Sequence, residues 1–212
     1  MKAFDLIADE WNGRRASPMP ALALFLPMMP RDAEVMDAGC GNGRNACVIA
    51  SKSAHLVCLD SSEKMLGFAR KNVKRKNVRF IRASITKLPL PSASIDAAFY
   101  PAVLHLLDAS QRKKAFREMR RVLRPGGKAF ITVWNKDQQK FHEQRSKKEF
   151  PVMWKKKDGS AVARHYYFYT ASELRLLAKQ NKMRAESVFY ERRGEKTEKK
   201  GAFNLCAVFS RA

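Results

Sequence analysis

A glycine loop with acids near both of its flanks is the part of the sequence best suited to chemistry. The segment 37–43 reads Asp-Ala-Gly-Cys-Gly-Asn-Gly and follows a short apolar run, so an acid ends a predicted strand and glycines lead into a helix. Glycines let the backbone approach a ligand closely, and a helix N-terminus attracts anionic groups. Asp60 ends the next apolar run, where a carboxylate can bind two ribose hydroxyls. Arg44 occupies the position at which a dinucleotide-binding loop needs glycine, so that version of the loop fits poorly.

These residues must be positioned by strands that alternate with helices. Apolar runs predict strands at 34–38, 55–59, 78–81, 95–100 and 128–134. Helices are predicted between them, including one capped by Ser62 and one that begins near Gln111 and is stopped by Pro125-Gly126-Gly127. This alternation predicts an α/β fold with a doubly wound, mostly parallel sheet and right-handed crossovers.

The sequence resembles the class I S-adenosylmethionine-dependent methyltransferases. The resemblance is carried by the glycine loop, the two acids at strand ends, and the turns at Leu88-Pro89 and Arg124 to Gly127. The rest of the chain is similar to one branch, the tRNA wobble-uridine carboxymethyl methyltransferases, which methyl-esterify 5-carboxymethyluridine in the anticodon. The matching segments are Phe4 to Ala8, Trp11 to Pro20, Ala102 to Leu107, Val133 to Gln138, Arg164 to Tyr169 and Phe189 to Arg192. The departures are Met19 for a tryptophan, Leu106 for a second histidine, and Arg193-Gly194-Glu195 for an acid, an asparagine and a tryptophan.

The resemblance implies a Rossmann-like, seven-stranded sheet in a single methyltransferase domain over 1–212. Its expected parts are an N-terminal helical lid at 1–33, a cofactor-binding core at 34–134, a substrate-side insertion after strand five at 135–169, and a final helix with a terminal hairpin at 170–212. A capping box at Thr170 marks the start of that last helix, and the apolar runs 185–190 and 203–209 predict the hairpin.

The resemblance also implies S-adenosylmethionine as the cofactor. The cofactor-binding residues it predicts are Asp37, Gly39, Gly41, Gly43, Asp60, Ser61, Met65 and Ser84. Asp37 and the glycines would hold the methionine part and Asp60 the ribose, while Ser61 and Met65 would flank the adenine. The family commonly has an acid after strand three for the adenine amino group; here Ser84 stands there, so its side chain or a backbone group must substitute.

Esterifying a carboxylate needs no general base, because an ordinary carboxylic acid is already ionised at neutral pH. The main demand is positioning, and a fixed cation can orient the carboxylate. Arg15, on the predicted lid, and His105, just past strand four, are the catalytic candidates for this role. The alternatives are an Arg15 that is solvated or binds phosphate and a His105 that only packs.

The net charge of +22 indicates a polyanionic partner, most often nucleic acid. The run from Arg70 to Arg82 holds seven cations and no acid, which favours phosphate contact. Charge and stacking surfaces suited to an anticodon loop combine in the insertion. The substrate-binding candidates are Trp134, Lys155, Arg164, Tyr166 and Arg192. The insertion's aromatic residues could equally anchor it to the core.

Family resemblance implies two partners, the tRNA anticodon stem-loop and a small zinc-containing activator protein. Val78, Phe80 and Ile81 lie near a predicted exposed sheet edge that the activator could cover. The four cysteines form no C-x-x-C pair, so the chain itself suggests neither a metal site nor a disulfide framework. No membrane-spanning run or targeting segment is evident, and a cytoplasmic location is expected.

Two rival functions remain open at this level. One is a methyltransferase of the same fold that acts on a small molecule or another RNA, with the charge incidental. The other is a non-catalytic tRNA-binding or partner-regulating protein that has kept the fold. The intact acids Asp37 and Asp60 and the glycine loop argue against the second.

Overall fold

The computed structural model describes residues 2–144 and 146–212. The helices are α1 Lys2–Arg14, α2 Leu22–Phe25, α3 Ala46–Ala50, α4 Glu63–Asn72, α5 Ala109–Val122 and α6 Ala171–Gln180. The strands are β1 Ala33–Ala38, β2 Ser53–Asp60, β3 Val78–Arg82, β4 Ile95–Pro101, β5 Leu123–Trp134, β6 Glu149–Lys155, β7 Ala161–Tyr167, β8 Met183–Arg192, β9 Glu195–Thr197 and β10 Asn204–Arg211. Short 3-10 turns cover Leu26–Met28, Leu104–Leu106 and Gln139–Gln144.

The central sheet confirms the predicted α/β fold class. Its order is β3-β2-β1-β4-β5-β10-β8-β9, with β1 to β5 parallel and the predicted terminal hairpin of β8 and β10 antiparallel. The described sheet has eight strands rather than seven, because the short β9, between β8 and β10, folds back onto β8. Strand β5 also begins earlier than predicted, since Leu123 already pairs with Ile95.

Helices pack on both faces of the sheet because each presents an apolar stripe. On one face, α5 buries Ala115, Phe116 and Met119, and its N-terminus is closed by a capping box between Asp108 and Gln111. On the opposite face, α2, α3 and α4 contribute to a second apolar cluster. Both clusters lie against the sheet, so the strands are buried between two layers and can support a site at their ends.

The insertion forms an antiparallel hairpin of β6 and β7. Phe150 stacks on Phe168 with ring centroids 4.5 Å apart, and Phe141 meets Phe168 edge-on at 5.1 Å. These rings make a third buried cluster that Trp134, at the end of β5, joins. Helix α1 packs against α4 and β7, so the hairpin and the N-terminal helix meet.

Strand β3 is an outermost strand of the sheet, as the sequence predicted. Val78, Phe80 and Ile81 are partly buried there, while Arg79 and Arg82 are exposed. This edge therefore combines apolar surface with positive charge. Among the described helices, none is long and apolar enough to cross a membrane.

Candidate active site

A cavity of about 700 Å³ opens at the carboxyl ends of the parallel strands. Its floor comes from the glycine loop after β1, the end of β2 and the segments that follow β3 and β4, and its roof includes Trp11 of α1 and Arg164 of β7. In doubly wound sheets ligands bind at this edge. The predicted site residues that line the cavity are Arg15, Gly39, Gly41, Asp60, Ser61, Met65, Ser84, His105, Trp134, Arg164 and Tyr166.

Glycine is required in the loop by close approach and by backbone conformation. Gly39 has φ +74°, and a Cβ there would lie 2.5 Å from Cγ2 of Val103. Gly41 has φ +56°, but a Cβ there would lie near no other atom, so only the backbone conformation requires glycine at this position. The N–H of Gly41 donates to Oδ2 of Asp60 at 2.9 Å. The loop is thereby fixed to the end of β2.

Asp60 ends β2 with its carboxylate partly buried. Its second oxygen, Oδ1, accepts from the N–H of Ser62 at 2.9 Å. Burial raises the pKa of Asp60, and the backbone hydrogen bonds from Ser62 and Gly41 oppose that rise. The carboxylate keeps a fixed orientation at the cavity wall, where remaining acceptor capacity can meet two hydroxyls.

Asp37 lies behind the cavity wall rather than in it. Its side chain is fully buried, and neither carboxylate oxygen has a hydrogen-bond partner among the described residues. Burial raises the pKa of Asp37 to about 7; the nearby charge of Asp60 adds to the rise and Arg44 opposes it. An unpaired buried carboxyl is costly, so its retention beneath a ligand loop points to a compensating charge when ligand is present.

Gly43, also predicted to bind the cofactor, does not line the cavity. A Cβ at this position would lie 2.8 Å from Cγ2 of Val73 and 3.1 Å from the Cα of Ala69. Gly43 is therefore the point at which the loop packs closely against α4 and the residue that follows it, and the structure places it in helix packing rather than at the ligand surface.

Two asparagines of the loop hold the N-terminal segment over the cavity, and sequence reasoning missed both. Asn42 donates through Nδ2 to the carbonyl oxygen of Arg15 at 3.0 Å, and Oδ1 of Asn45 accepts from the N–H of Met19 at 2.9 Å. Both side chains are buried. Their position directly beside the glycines was the available signal, because a buried amide in a ligand loop must satisfy its hydrogen bonds locally.

His105 is buried, and its surroundings favour the neutral ring over the cation that the sequence analysis considered. Burial, assisted by the positive charges of Arg164 and Lys140, lowers the pKa of His105 to about 3. Its Nδ1 accepts a hydrogen bond from the N–H of Trp134 at 3.3 Å, so the proton of the neutral ring resides on Nε2. His105 is thus a neutral hydrogen-bond donor on the cavity wall.

Arg164 is the most unusual charge in the site. It is only 4% exposed, and its Nε and Nη1 have no hydrogen-bond partner among the described residues. Its guanidinium carbon lies 5.2 Å from the ring centroid of Trp154, 5.3 Å from that of Tyr166 and 5.7 Å from that of Trp11. Burial lowers the pKa of Arg164, although the guanidinium stays charged at neutral pH. A charged fork in an aromatic cage, facing a cavity, is suited to an anionic group.

Lys140 adds a second cation beside the same rings, and no sequence motif indicated it. Its Nζ lies 3.8 Å from the ring centroid of Trp134. Burial and the charges of Arg15 and Arg164 lower the pKa of Lys140 to about 8. Three mutually repelling cations thus surround the half of the cavity lined by Trp134 and Tyr166, which attracts anions to it.

Lys155 and Arg192, predicted to bind substrate, do not line the cavity. Lys155 is exposed at the end of β6, where its carbonyl oxygen accepts from Nη1 of Arg14 at 3.3 Å. Arg192 is exposed at the end of β8, with its guanidinium 5.2 Å from the ring of Phe203. Both side chains lie on the surface, where they can reach only a ligand larger than the cavity.

Known proteins with similar sequence and structure agree on the class of site. The Methyltransferase domain family matches residues 36–131. A tRNA (carboxymethyluridine(34)-5-O)-methyltransferase of Macaca fascicularis is 34% identical over 147 residues, 69% of this chain. The DhpI–SAH complex superposes with a TM-score of 0.76 at 18% identity, covering 100% of this chain and 94% of that chain. A Haloferax volcanii methyltransferase in complex with the Trm112 methyltransferase activator also gives 0.76, at 16% identity, covering 99% and 96% of the two chains.

Residues 36–131 of the chain belong to the Methyltransferase domain family, and the chain has the fold of the class I S-adenosylmethionine-dependent methyltransferases. Its matched region covers 21% of the length of the macaque relative, so the similarity concerns only part of that larger protein. The cofactor of this methyltransferase is S-adenosylmethionine.

The cavity of the methyltransferase has the features that this cofactor needs. The cofactor carries ribose hydroxyls and a cationic methionine end. The chain offers a carboxylate at Asp60, a backbone approach at Gly39, and the buried orphan carboxyl of Asp37. At the far end, Ser84 lines the cavity, but its hydroxyl is engaged with Oγ1 of Thr86 at 2.7 Å. A base edge there would meet backbone groups or a rearranged Ser84.

Proposed function

We propose that this methyltransferase esterifies the carboxylate of 5-carboxymethyluridine at the wobble position of tRNA. The observation that carries the proposal is the buried guanidinium of Arg164, which faces the cavity from an aromatic cage and whose Nε and Nη1 have no hydrogen-bond partner in the described part of the chain. An anionic acceptor would supply the missing partner, and the surrounding rings suit a base that stacks. The macaque relative, whose name describes methyl transfer to carboxymethyluridine 34, supports the same acceptor.

The chain's own residues would bind and orient the reactants. S-adenosylmethionine supplies an electrophilic methyl group on a sulfonium, and a carboxylate attacks it without a general base. Gly39 and Gly41 would bring the backbone against the methionine end, and Asp60 would bind the ribose. Ser61 and Met65, which line the cavity, would contact the adenine.

On the acceptor side the roles differ from those expected of the sequence. Arg164 would hold the carboxylate, and the neutral His105 would donate from Nε2 to one of its oxygens. Trp134 and Tyr166, stacked with centroids 4.8 Å apart, would present an aromatic surface to the base. Arg15, whose guanidinium lies 5.7 Å from the ring of Trp11, would close the cavity from the N-terminal segment.

The exposed cations would contact the RNA outside the cavity. The run 70–82 extends from the last turn of α4 through the edge strand β3, and Lys155 and Arg192 are exposed elsewhere on the surface. Such contacts predict binding that weakens steeply as salt rises. A small activator protein would pair with β3, whose partly exposed Val78 and Phe80 lie on an open sheet edge. The Haloferax volcanii complex shows that a protein of this fold assembles with such an activator.

The decisive experiment is mass spectrometry of nucleosides after reaction with methyl-labelled cofactor. Two acceptors are compared, tRNA that carries 5-carboxymethyluridine and the same tRNA with unmodified uridine, each with and without a Trm112-type activator. The expected result is a labelled methyl ester at the wobble position of the first tRNA alone. Label in neither tRNA, with cofactor binding intact, would refute the proposed acceptor and favour a small molecule or another RNA.

The activator has its own test in the same samples. We expect the isolated chain to aggregate or react slowly, and Phe80→Glu to abolish stimulation by the activator while leaving cofactor binding intact. A monodisperse isolated chain with full activity would refute the need for a partner.

A further inference from the structure

Phe203 is an aromatic side chain at the cavity that the proposed reaction does not use. It directly precedes β10, lines the cavity and is 40% exposed, so it stands at the mouth. Four other large apolar side chains are exposed in the described part of the chain, and none of them lines the cavity: Leu6, Met28, Met153 and Leu176. Single exposed apolar residues are common on protein surfaces, but a ring at the mouth of a binding cavity offers a contact surface to a ligand.

The backbone of Phe203 is fixed between the end of β8 and the segment that follows β5. Its N–H donates to the carbonyl oxygen of Glu191 at 2.9 Å. Its own carbonyl oxygen accepts from the N–H of Asn135 at 3.0 Å and from Nε2 of Gln138 at 2.8 Å. A residue anchored in this way has little conformational freedom left to lose when a ligand binds.

This anchoring places Phe203 next to the aromatic surface proposed for the wobble base. Asn204, the residue that follows Phe203, pairs with Trp134 across β10 and β5. Phe203 is therefore the next residue beyond that pair, on the side where the strand ends and the cavity opens. A nucleotide joined to the wobble uridine through one phosphate must leave the cavity at its mouth, where the Phe203 ring lies.

A cation accompanies the ring. The guanidinium carbon of Arg192 lies 5.2 Å from the ring centroid of Phe203. Nη1 of Arg192 lies 3.5 Å from the position that a Cβ of Gly201 would take, so the side chain extends across that turn. Within residues 2–144 and 146–212 the guanidinium makes no hydrogen bond or ion pair. Its charge is thus available to a phosphate, and an aromatic ring beside an arginine suits a stacked nucleotide.

We propose that Phe203 and Arg192 form a subsite for the nucleotide next to the wobble uridine. The ring of Phe203 stacks on the base of that nucleotide, and Arg192 binds its phosphate. A small-molecule acceptor would fill the cavity without reaching Arg192, so the pair provides a contact that only a polynucleotide uses. This inference rests on the proposed tRNA function and extends it to a second nucleotide.

The test measures RNA binding rather than methyl transfer. Fluorescence anisotropy follows an anticodon stem-loop RNA that carries 5-carboxymethyluridine, with S-adenosylhomocysteine and the Trm112-type activator in every sample. Two further RNAs each lack one base, on the 5′ or the 3′ side of the wobble position. Phe203→Ala should weaken binding of the intact RNA by roughly 5- to 150-fold, the range for loss of one aromatic–base stack. Phe203→Trp, which keeps a stacking ring, should retain most of the affinity.

The abasic RNAs identify the contact. One of them should bind the wild-type protein more weakly by a similar factor, and Phe203→Ala should weaken it by less than about twofold further, because the stacking partner is already gone. Arg192→Gln should weaken all three RNAs, since each keeps its phosphates, and should lower the salt slope of binding by about one. Leu176→Ala and Arg175→Gln, exposed on α6, are the matched controls and should change neither quantity.

Two results would overturn the stacking contact while the proposed function stands. One is wild-type affinity in Phe203→Ala. The other is a loss in Phe203→Ala that persists undiminished with both abasic RNAs, because the ring would then act through the cavity wall. Unchanged affinity and salt slope in Arg192→Gln would likewise overturn the phosphate contact. Failure of the wild-type protein to bind the intact RNA, or to methylate the modified tRNA, would reject the proposed function and the subsite together.

Discussion

Replacing Arg164 with methionine should make the protein more stable and less active. The side chain is 4% exposed, and two of its nitrogens lack partners among the described residues. Each unpaired nitrogen costs about 1–3 kcal/mol. The cation–π contacts with three rings, at 5.2–5.7 Å, each offset only about 0.5–1 kcal/mol of that cost, because these distances are near the outer limit for such contacts. Methionine keeps the ring contacts without the charge, so Arg164→Met should raise the free energy of unfolding by about 1–3 kcal/mol.

The same change should reduce methyl transfer. Loss of a charge-assisted contact worth about 1.5–3 kcal/mol corresponds to a fall in kcat/KM of roughly 10- to 150-fold. The free energy of unfolding is measured by urea denaturation of the ligand-free protein and kcat/KM with tRNA that carries 5-carboxymethyluridine. Arg175→Met, an exposed change on α6, is the matched control and should alter neither quantity. A loss of more than about 1 kcal/mol of stability in Arg164→Met would refute the reasoning, since the guanidinium would then support the fold itself.

Three further predictions concern the loop and the neutral histidine. Asp37 holds its proton to about pH 7 in the folded protein but releases it near pH 3.8 in the unfolded chain, so its contribution to stability is lost as pH rises through that window. Asp37→Asn should remove this pH dependence of the free energy of unfolding, raise that free energy by up to about 4 kcal/mol at pH 8 in denaturation of the ligand-free protein, and weaken cofactor binding. An unchanged pH dependence would contradict this. Gly39→Ala should lower the free energy of unfolding by about 3 kcal/mol or more, because the new Cβ would collide with Val103, whereas Gly41→Ala should lower it by about 1–2 kcal/mol. Adding Val103→Ala to Gly39→Ala should recover part of that loss. Equal losses in the two glycine variants would contradict the clash. Because His105 is neutral above about pH 3, kcat at saturating cofactor should show no limb near pH 6.5, and a limb that vanishes in His105→Asn would disprove its neutral role.

The order of strands and helices was readable from the sequence because local signals agreed with burial. Ser62 caps α4 and Thr170 caps α6, as their capping patterns predicted. Strand β9 was not readable, because its three exposed residues follow no apolar pattern and pair only with the edge of β8. The early start of β5 was missed because Leu123 also continues the apolar stripe of α5. The spacing of apolar residues alone could therefore not assign Leu123 to the helix or to the strand.

Site residues that belong to a local sequence motif were predicted, whereas properties that depend on contacts between distant segments were missed. Asp60 and the loop glycines follow directly from strand ends, and the structure brings Gly39, Gly41 and Asp60 together at one edge. The neutral state of His105 could not be read, since it depends on burial and on cations from distant segments. Lys140 was invisible for the same reason: its position over Trp134 is fixed by the packing of the insertion.

The distribution of charge in the cavity explains why one half suits a cationic ligand end and the other an anionic acceptor. Asp60 lines the cavity at the end of β2 and Asp37 is buried behind its wall, while Arg164 and Lys140 lie among the aromatic rings. In the proposed reaction a sulfonium and a carboxylate, one charge of each sign, become a neutral thioether and a neutral ester. If Arg164 holds the carboxylate as proposed, it would lose that partner when the ester forms, so the cage would hold the product less tightly than the acid. The cost of an unpaired buried arginine would return at the end of each cycle, which would favour release of product and entry of the next acid.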